Sequence, residues 1–445
     1  MSVKRILIVR RDRCESVRFS VISGPSGHHG ASMKILALAV GTRGDVAPFT
    51  GLGAQFRGSG HQFAIATQPR FADLVTAAGS EYRPLPAEFL PFPGRGPSWQ
   101  LELFRHVAAF IHEMGRSMVP LVEVDADVLL LPAITAPLGW QLAEATGALA
   151  VGAYLQPGHP TAEFAPSLGS GRSLGCWGNR AAVQLTSGFH NRMYAAAAKE
   201  LRAGLGLPRA SVGAVRRHRE KAGWPVLYGY SPAVVPRPAD WRDGLEVVGN
   251  WWPSETVSQT RLPEELEDFL QAGPPPVFVG FGSMGVGEGE GLSEIAVAAL
   301  RLAGVRGVVQ AGWAELTAVG GGGDILTVGE LPHRLIFPRA AAVVHHAGAG
   351  TTAAALRAGV PAVTVPMMAD QPFWARRLAA LGVSPAPIPF GRLTAERLAR
   401  AITEALGHPG YRERASALAG RMSAEDGAGI AVTLLERWVR KSDAS

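Results

Sequence analysis

The stretch HHAGAGTTAAALRAGVPAVTVPMMADQPFW, residues 345–374, decides the fold because it joins a strand, a turn and a helix with polar residues between them. AAAVVHH predicts a buried strand and TTAAALRAG predicts a helix, so AGAG is the tight turn that connects them. Small residues let backbone amides approach a ligand, and the start of a helix attracts an anion such as phosphate. The stretch therefore predicts an anion-binding turn at the carboxyl end of a strand.

The same alternation of short apolar runs and amphipathic stretches extends along the chain in two series. The first begins at Met33 and contains KILALAV, QFAIAT and ADVLLLP, and the second contains VFVGF, DILTV, AVVHH and AVTVP. Strands separated by helices are typical of βαβ units on a parallel sheet. The sequence predicts an α/β fold of two doubly wound, Rossmann-like halves, with ligands in the loops at the carboxyl ends of the strands.

Composition and periodicity also set the expected domain boundaries. The expected order is a basic, disordered extension (1–32), a first domain (33–240), a linker (241–262), a second domain (263–420) and a C-terminal helix (421–445). The extension ends in SGPSGHHGAS, which has the composition of a linker, and an upstream start codon is an alternative origin for it. The C-terminal segment has helical spacing and is expected to cap one domain or to cross back to the other.

Composition excludes several classes of protein. A chain of 445 residues with 47% hydrophobic and 18% charged residues is expected to form two globular domains. The net charge is +6, but residues 1–32 hold six Lys or Arg against two acidic residues, so no nucleic-acid partner is expected. Two cysteines form no disulfide framework, and no run reaches the ~18 apolar residues of a membrane span. A cytoplasmic protein is expected.

A dinucleotide-dependent oxidoreductase is one interpretation of the turn. Gly348-x-Gly350-x-x-Ala353 matches the GxGxxA fingerprint, and Asp370 lies near the position of a ribose-binding acid. Three features count against it: the turn lies in the second domain, two histidines precede it, and Asp370 is followed by Gln371 in a polar loop. Of the two histidines, the first is expected to be a core residue.

The residues carry a resemblance to a known family. VVHHAGAGTTAAALRAGVPAVTVPMMADQPFWARRL resembles the donor-sugar signature of family 1 glycosyltransferases, in particular the branch of sterol 3-beta-glucosyltransferases and glycopeptide-antibiotic glycosyltransferases. VFVGFGSM and GTRGDVAPF are similar to that branch as well. The resemblance implies the GT-B architecture, in which two Rossmann-like domains face a central cleft, with the acceptor mainly in the first and the nucleotide sugar mainly in the second.

The resemblance also implies which residues bind the donor. His346 would contact the diphosphate, and the amides of Gly350 and Thr351 would complete the cradle. Asp370 and Gln371 would hold the sugar, because a carboxylate and an amide together accept from and donate to vicinal hydroxyls. The full implied donor set is His346, Gly348, Gly350, Thr351, Ser283, Asp370, Gln371 and Trp313.

Transfer to a hydroxyl requires removal of its proton, so a carboxylate or imidazole is expected to face the donor from the first domain. In GTRGDVAP, Asp45 matches the aspartate of the resembling branch and is the candidate base, with Thr42 orienting the base or the acceptor. The alternative is that Asp45 only caps the helix that follows it. His106, His112 and His159 are further candidates.

Direct displacement would invert the anomeric configuration, and His346 with the helix start would neutralise the leaving diphosphate. No metal and no resident cofactor are expected, since the nucleotide sugar is a co-substrate. Asp125-x-Asp127 resembles the DxD metal motif of the other large glycosyltransferase architecture. It precedes a strand, away from the ligand edge of the sheet, and is interpreted as a pair of solvated acids.

Aromatic residues of the first domain indicate a bulky hydrophobic acceptor, such as a polyketide or antibiotic aglycone. A sterol or lipid is the alternative acceptor and would require transient contact with a membrane. An NAD-dependent oxidoreductase and a non-catalytic GT-B auxiliary protein are alternatives of other classes. The donor nucleobase, uridine or thymidine, and the oligomeric state stay open. The expected acceptor-binding residues are Phe89, Phe92, Trp99, Phe104 and Phe164.

Overall fold

Two parallel β-sheets form the framework of this protein, whose structure is a computed structural model. It describes residues 32–88, 99–169, 171–254, 261–282, 289–311 and 322–443. The expected extension therefore lies outside the described residues except for Ser32. Four expected site residues also lie outside them: Phe89, Phe92, Ser283 and Trp313. Trp99 is described by its backbone alone.

The first sheet has seven strands in the order β3-β2-β1-β4-β5-β6-β7. All of its strand pairs are parallel. The strands are β1 (Lys34–Leu38), β2 (Gln62–Thr67), β3 (Glu81–Pro84), β4 (Val128–Leu131), β5 (Leu149–Tyr154), β6 (Val226–Tyr228) and β7 (Leu245–Val247). Because β7 pairs with β6, this sheet extends into the segment 241–262 that the sequence assigned to the linker.

The second sheet has five parallel strands in the order β10-β9-β8-β11-β12. They are β8 (Val277–Gly280), β9 (Gly307–Gln310), β10 (Ile325–Val328), β11 (Ala342–His345) and β12 (Ala362–Thr364). The central strands are buried along their whole length, as expected for a sheet covered by helices on both faces.

Helices connect the strands and cover both sheets. In chain order they are α1 (Arg43–Gly58), α2 (Ala72–Ala77), α3 (Trp99–Ser117), α4 (Ala136–Thr146), α5 (Gly175–Gly204), α6 (Val212–Lys221), α7 (Glu264–Gln271), α8 (Gly289–Leu302), α9 (His333–Ile336), α10 (Ala349–Arg357), α11 (Gln371–Ala380), α12 (Ala395–Gly407), α13 (Pro409–Ser423) and α14 (Gly427–Asp443). We call the first sheet with its helices the first domain, and the second sheet with α7 to α13 the second domain.

One buried apolar cluster continues from the first domain into the second. It holds residues of β4 to β6 and of α3 to α6, and it also includes Phe373 and Trp374 of α11 and Met422 of α13. The two domains therefore share a core as well as a cleft, and the position of α11 depends on contacts with the first domain.

The last helix packs on the first domain. Ala431 and Leu435 of α14 are buried in the cluster beneath β1 and α1, and Glu436 bonds to His61 at 3.1 Å. The expected helix 421–445 is divided, because α13 ends at Ser423 and α14 begins at Gly427. A Cβ on Gly427 would lie 2.5 Å from the Gly249 carbonyl, so only glycine permits the chain to cross there.

Candidate functional site

His346 occupies a slot between two glycine backbones at the carboxyl ends of β8 and β11. A Cβ on Gly348 would lie 2.5 Å from its Nε2, and a Cβ on Gly282 would lie 2.9 Å from its Cε1. Gly282 has φ +61, which favours glycine independently of the space. The Nδ1 of His346 is buried without a hydrogen-bond partner among the described residues. The ring is therefore fixed by shape rather than by bonding, and it retains capacity for a ligand.

Helix α10 starts immediately after this slot. Gly348 is the residue before the first turn, and its carbonyl accepts from the Thr352 amide at 2.9 Å. The amides of Ala349, Gly350 and Thr351 therefore have no acceptor within the helix and point out from its positive end. The helix begins two residues earlier than the sequence predicted, which brings Gly350 and Thr351 into the first turn itself.

Three histidines near the turn are held neutral. Burial lowers the pKa of His346 to about 4. Burial, with His346 as a secondary cause, lowers the pKa of His345 to about 3. His333 of α9 has its pKa lowered to about 4 by burial, then by His346 and Arg43. At neutral pH, His346 thus offers one N–H to a ligand, and a bound diphosphate would raise its pKa.

His345 is a core residue, as the sequence indicated. It is fully buried in β11, and its Nδ1 accepts from the Ala347 amide at 3.1 Å, while its Nε2 has no partner among the described residues. Ala347 itself has φ +64, an uncommon conformation for a non-glycine residue. The histidine therefore helps to hold the left-handed turn that leads into α10.

Asp45 lies in the first turn of α1, directly after β1. Its Oδ2 accepts from the Thr42 amide at 2.7 Å and from the Thr42 hydroxyl at 2.8 Å. The residue is exposed to solvent. The surrounding protein nevertheless partly desolvates the carboxyl and raises its pKa, whereas the two bonds from Thr42 act to lower this pKa. Asp45 therefore caps α1 and also presents a carboxylate at the ligand edge of the first sheet.

The starts of α1 and α10 face each other across a cleft. A Cβ on Gly350 would lie 4.0 Å from the Cα of Gly44. Beside this approach, the Arg43 Nε and the Glu330 Oε1 form an ion pair at 3.0 Å that joins the two domains. Sequence reasoning did not single out Arg43, because an exposed arginine beside a turn carries no periodic signal.

Asp370 and Gln371 lie at the start of α11, after β12. The Asp370 Oδ2 accepts from the Trp374 indole Nε1 at 2.8 Å. The Gln371 Oε1 accepts from the amides of Met367 and Met368, at 2.8 and 3.1 Å, so this oxygen closes the loop. A ligand would then receive donation from the Gln371 amide nitrogen, while Asp370 supplies acceptors.

Asp45 and Asp370 interact electrostatically across the cleft. Burial raises the pKa of Asp370 to about 6, the Trp374 bond opposes this shift, and the charge of Asp45 adds to it. Removing the charge of Asp45 would therefore favour the ionised form of Asp370. The fold thus brings the predicted base and the predicted sugar-binding carboxylate close enough to interact.

The expected acceptor residues that the structure describes lie in two places. Phe104 of α3 contacts Phe189 of α5, with ring centroids 5.5 Å apart. Trp177 and Leu185, in the first half of α5, are exposed. Phe164 is half-buried at the domain junction. An apolar surface therefore exists in the first domain, and Phe164 lies between that domain and α11.

The alternative histidines have other partners. His159 bonds to the Tyr228 hydroxyl at 2.5 Å and to Glu220 at 3.1 Å within the first domain. The His112 Nε2 lies 2.7 Å from the Glu200 Oε2 on the α3–α5 surface. These contacts show both side chains in structural interactions within the first domain.

Asp125 and Asp127 lie before β4, at the amino end of the sheet. Asp127 accepts from the Lys34 amide at 2.8 Å, and Asp125 is paired with the Lys34 ammonium. Among the residues that the structure describes, no group of three or more His, Cys, Asp or Glu side chains could hold a metal ion. Within the same ranges, no helix is both long enough and apolar enough to cross a membrane.

Comparison with known proteins gives matches in both domains. Residues 35–119 match the glycosyltransferase family 28 N-terminal domain, and residues 314–436 match the erythromycin biosynthesis protein CIII-like C-terminal domain. The O-mycaminosyltylonolide 6-deoxyallosyltransferase of Streptomyces fradiae is 35% identical over 439 residues, which cover 91% of this chain and 97% of that protein. The chain belongs to the family 1 glycosyltransferases.

A second relative of this glycosyltransferase is a sterol 3-beta-glucosyltransferase of Arabidopsis thaliana, 32% identical over 422 residues, covering 91% of this chain and 68% of that protein. The solved structure of the glycosyltransferase of kitacinnamycin has a TM-score of 0.67 at 22% identity and covers 91% of this chain and 99% of that one. The predicted GT-B fold is confirmed. The chain is a glycosyltransferase, so the GxGxxA match at Gly348 is no longer an argument for an oxidoreductase.

Proposed function

We propose that this glycosyltransferase moves a hexose from a uridine or thymidine diphosphate sugar to a hydroxyl of a bulky hydrophobic natural-product aglycone, with inversion at the anomeric carbon. The observation that carries the proposal is the approach of α1 and α10, which sets Asp45 opposite the amides after Gly348. In this proposal a proton acceptor and an anion cradle lie on opposite sides of the bound sugar.

The donor diphosphate would lie at the start of α10. The amides of Ala349, Gly350 and Thr351 donate to it, His346 adds one N–H from its slot, and the positive end of the helix stabilises the charge that develops as it leaves. This arrangement stabilises the leaving group with residues of the chain alone, which supports a reaction without a resident cofactor.

The acceptor hydroxyl would lie against Asp45. As its oxygen attacks the anomeric carbon, the bond to the diphosphate breaks on the opposite face, and the proton passes to the Asp45 carboxylate. The raised pKa of Asp45 makes it a better proton acceptor than an ordinary aspartate. Asp370 and Gln371 would bind the hydroxyls of the sugar that is transferred.

Two observations bear on the acceptor. The exposed aromatic surface around Phe104 and Phe189 suits a large apolar aglycone, and the Streptomyces fradiae relative is named for a modified tylonolide. The Arabidopsis relative is named for sterols, which makes a sterol the second candidate acceptor. Such an acceptor would require transient contact with a membrane surface.

Calorimetric titration of the purified protein with uridine diphosphate, thymidine diphosphate and NAD tests the donor site. We expect one nucleoside diphosphate to bind, and His346→Ala to weaken it strongly. His218→Ala, an exposed histidine on α6, is the matched control and should bind as the parent does. Binding of NAD alone, or of none of the three, would contradict the proposal.

Acceptor class and stereochemistry need a second experiment. With the preferred donor identified, macrolactone and sterol acceptors are compared for the rate of transfer, and the anomeric configuration of the product is determined by NMR. Retention of configuration would reject the direct displacement, and exclusive transfer to sterols would replace the natural-product acceptor by the second candidate.

A further inference from the structure

Helix α11, which carries Asp370 at its start, is packed against the first domain from its first turn. The Phe373 ring meets the Phe164 ring edge-on at 5.7 Å. The Trp374 ring meets the Tyr230 ring edge-on at 5.9 Å. Phe373, Trp374 and Tyr230 are all buried, so the junction between the domains is a packed aromatic contact.

Two backbone contacts strengthen this junction. The Arg377 Nε donates to the Val234 carbonyl at 2.5 Å. Gly171, with φ +63, lies so close to α11 that a Cβ on it would stand 2.7 Å from the Pro372 carbonyl. The first domain therefore contacts the first turn of α11 through Gly171 and the aromatic rings, and contacts the helix again at Arg377.

Trp374 connects this junction to the site. Its ring is 3% exposed and its indole N–H donates to the Asp370 Oδ2 at 2.8 Å. A buried N–H that donates to a carboxylate forms a strong, geometrically specific bond. Because Phe373 and Tyr230 fix the indole plane, the direction of this donor is fixed as well, and so is the carboxylate that receives it.

We propose that Trp374 is a positioning residue that holds the Asp370 carboxylate for the hydroxyls of the transferred sugar, and that Tyr230 of the first domain fixes Trp374. This inference rests on the proposed function of the site. The first domain, which would bind the acceptor, would therefore also take part in sugar binding, because it sets the position of the Asp370 carboxylate.

The pH dependence of sugar binding follows from the same contact. Asp45 on α1 faces Asp370 across the cleft, and Arg377 on α11 is bonded to the Val234 carbonyl. The pKa of Asp370 is about 6, and the Trp374 bond acts to lower it. Removal of the indole N–H would raise this pKa, so sugar binding would be lost at a higher pH as the solution is acidified.

The test compares Trp374→Phe with the parent protein in two measurements. The first is the ratio of the Kd of the nucleoside diphosphate to the Kd of the nucleotide sugar, which isolates the contribution of the sugar. Loss of a bond to a charged group is expected to lower this ratio by about tenfold, with the Kd of the nucleoside diphosphate unchanged. The second is the pKa of Asp370, from NMR titration of ¹³C-labelled aspartate carboxyls, assigned with Asp370→Asn.

The matched control is Trp140→Phe. Trp140 is buried to the same extent, but its indole nitrogen has no hydrogen-bond partner among the described residues. It should change neither the ratio nor the pKa of Asp370. In an Asp370→Asn background, Trp374→Phe should cause little further loss, because the charged partner is already gone.

Tyr230 supplies a second pair of variants. Its hydroxyl has no partner among the described residues, so Tyr230→Phe keeps the ring contact and should retain the sugar ratio. Tyr230→Leu removes the edge-on contact and should lower the ratio and raise the pKa of Asp370, as Trp374→Phe does. This pair tests the inference even where Trp374→Phe does not fold.

The results separate the inference from the proposed function. If the parent binds no nucleoside diphosphate, the proposed function fails, and the NMR titration still decides whether Trp374 controls Asp370. Suppose that the parent binds the nucleotide sugar. If Trp374→Phe then has the same ratio of Kd values and the same Asp370 pKa as Trp140→Phe, the inference is overturned. The same holds if Tyr230→Leu matches Tyr230→Phe in both quantities. An effect of Trp374→Phe that persists in full in the Asp370→Asn background overturns it too.

Discussion

The slot that holds His346 makes Gly348→Ala the sharpest test of the donor site. The added Cβ would lie 2.5 Å from the His346 Nε2 and 3.2 Å from its Cδ2, whereas unstrained carbon contacts are about 3.5–4.0 Å. Gly348 has φ −65, which alanine adopts without backbone strain, so the added Cβ must displace the imidazole ring of His346. The other side of the ring is bounded by the Gly282 backbone, so a displacement of roughly 1 Å takes the imidazole out of place.

That displacement determines the size of the effect. A hydrogen bond between His346 and the diphosphate requires a donor–acceptor distance of about 2.7–3.2 Å, and it would be broken. Hydrogen bonds to charged groups contribute about 1.5–3 kcal/mol, which corresponds to a roughly tenfold to hundredfold increase in the Kd of the nucleoside diphosphate. Calorimetry on the variant and the parent measures this increase directly.

Gly420→Ala is the control for the substitution itself. Gly420 lies on α13, and a Cβ there would meet no atom within 4 Å, so donor binding should not change. The double variant Gly348→Ala with His346→Ala should bind no more weakly than His346→Ala alone, because both act on one contact. A Gly348→Ala protein that melts like the parent and binds nucleotide with the parent Kd would refute the assignment of His346.

Three further predictions concern the base, the carboxylate pair and the domain junction. Asp45→Asn should lower kcat by about 10²–10⁴-fold and leave the Kd for nucleotide unchanged, since asparagine can still cap α1. Steady-state kinetics measures kcat and calorimetry measures the Kd, and a kcat equal to that of the parent would exclude Asp45 as the base. Asp45→Asn also removes the like charge that raises the pKa of Asp370, so this pKa should fall and the acid limb of nucleotide-sugar binding should move to lower pH; an unmoved limb would show that the two groups are not coupled. Gly171→Ala adds strain at φ +63 and a Cβ at 2.7 Å from the Pro372 carbonyl. The free energy of unfolding, measured by urea titration, should therefore fall by about 1–3 kcal/mol. Gly188→Ala on α5 is the control, because a Cβ there would have no atom within 4 Å, and it should not lower the free energy of unfolding.

Local patterns were sufficient to predict the two sheets and the edge at which the candidate site lies. The strand runs ending near Leu38, Gly280 and His345 are short, apolar and followed by glycine-rich turns, and the carboxyl ends of parallel strands meet at one edge. This is why Asp45 and the turn at Gly348 could both be placed at a cleft before any distance was known.

Contacts between distant parts of the chain could not be predicted in this way. The bond from Trp374 to Asp370 spans one helical turn, yet the Trp374 ring packs against Tyr230, more than a hundred residues earlier in the chain. The start of α10 was placed two residues late, because Ala349 and Gly350 resemble a turn by composition while the helix uses them as its first residues. Gly348 has an extended backbone and occupies the N-cap position, so the two small residues after it form the first turn.

The attachment of α14 to the first domain affects how this enzyme could be recombined. The chain leaves the first domain after β7, builds the second domain, and returns at Gly427, where it passes against the Gly249 carbonyl. The second domain is thus an insertion, with both of its connections side by side. A hybrid that exchanges donor specificity should therefore replace the segment between residues 250 and 424 and keep the last helix with its native partner, because fusion at a single junction would separate Leu435 from the core it fills.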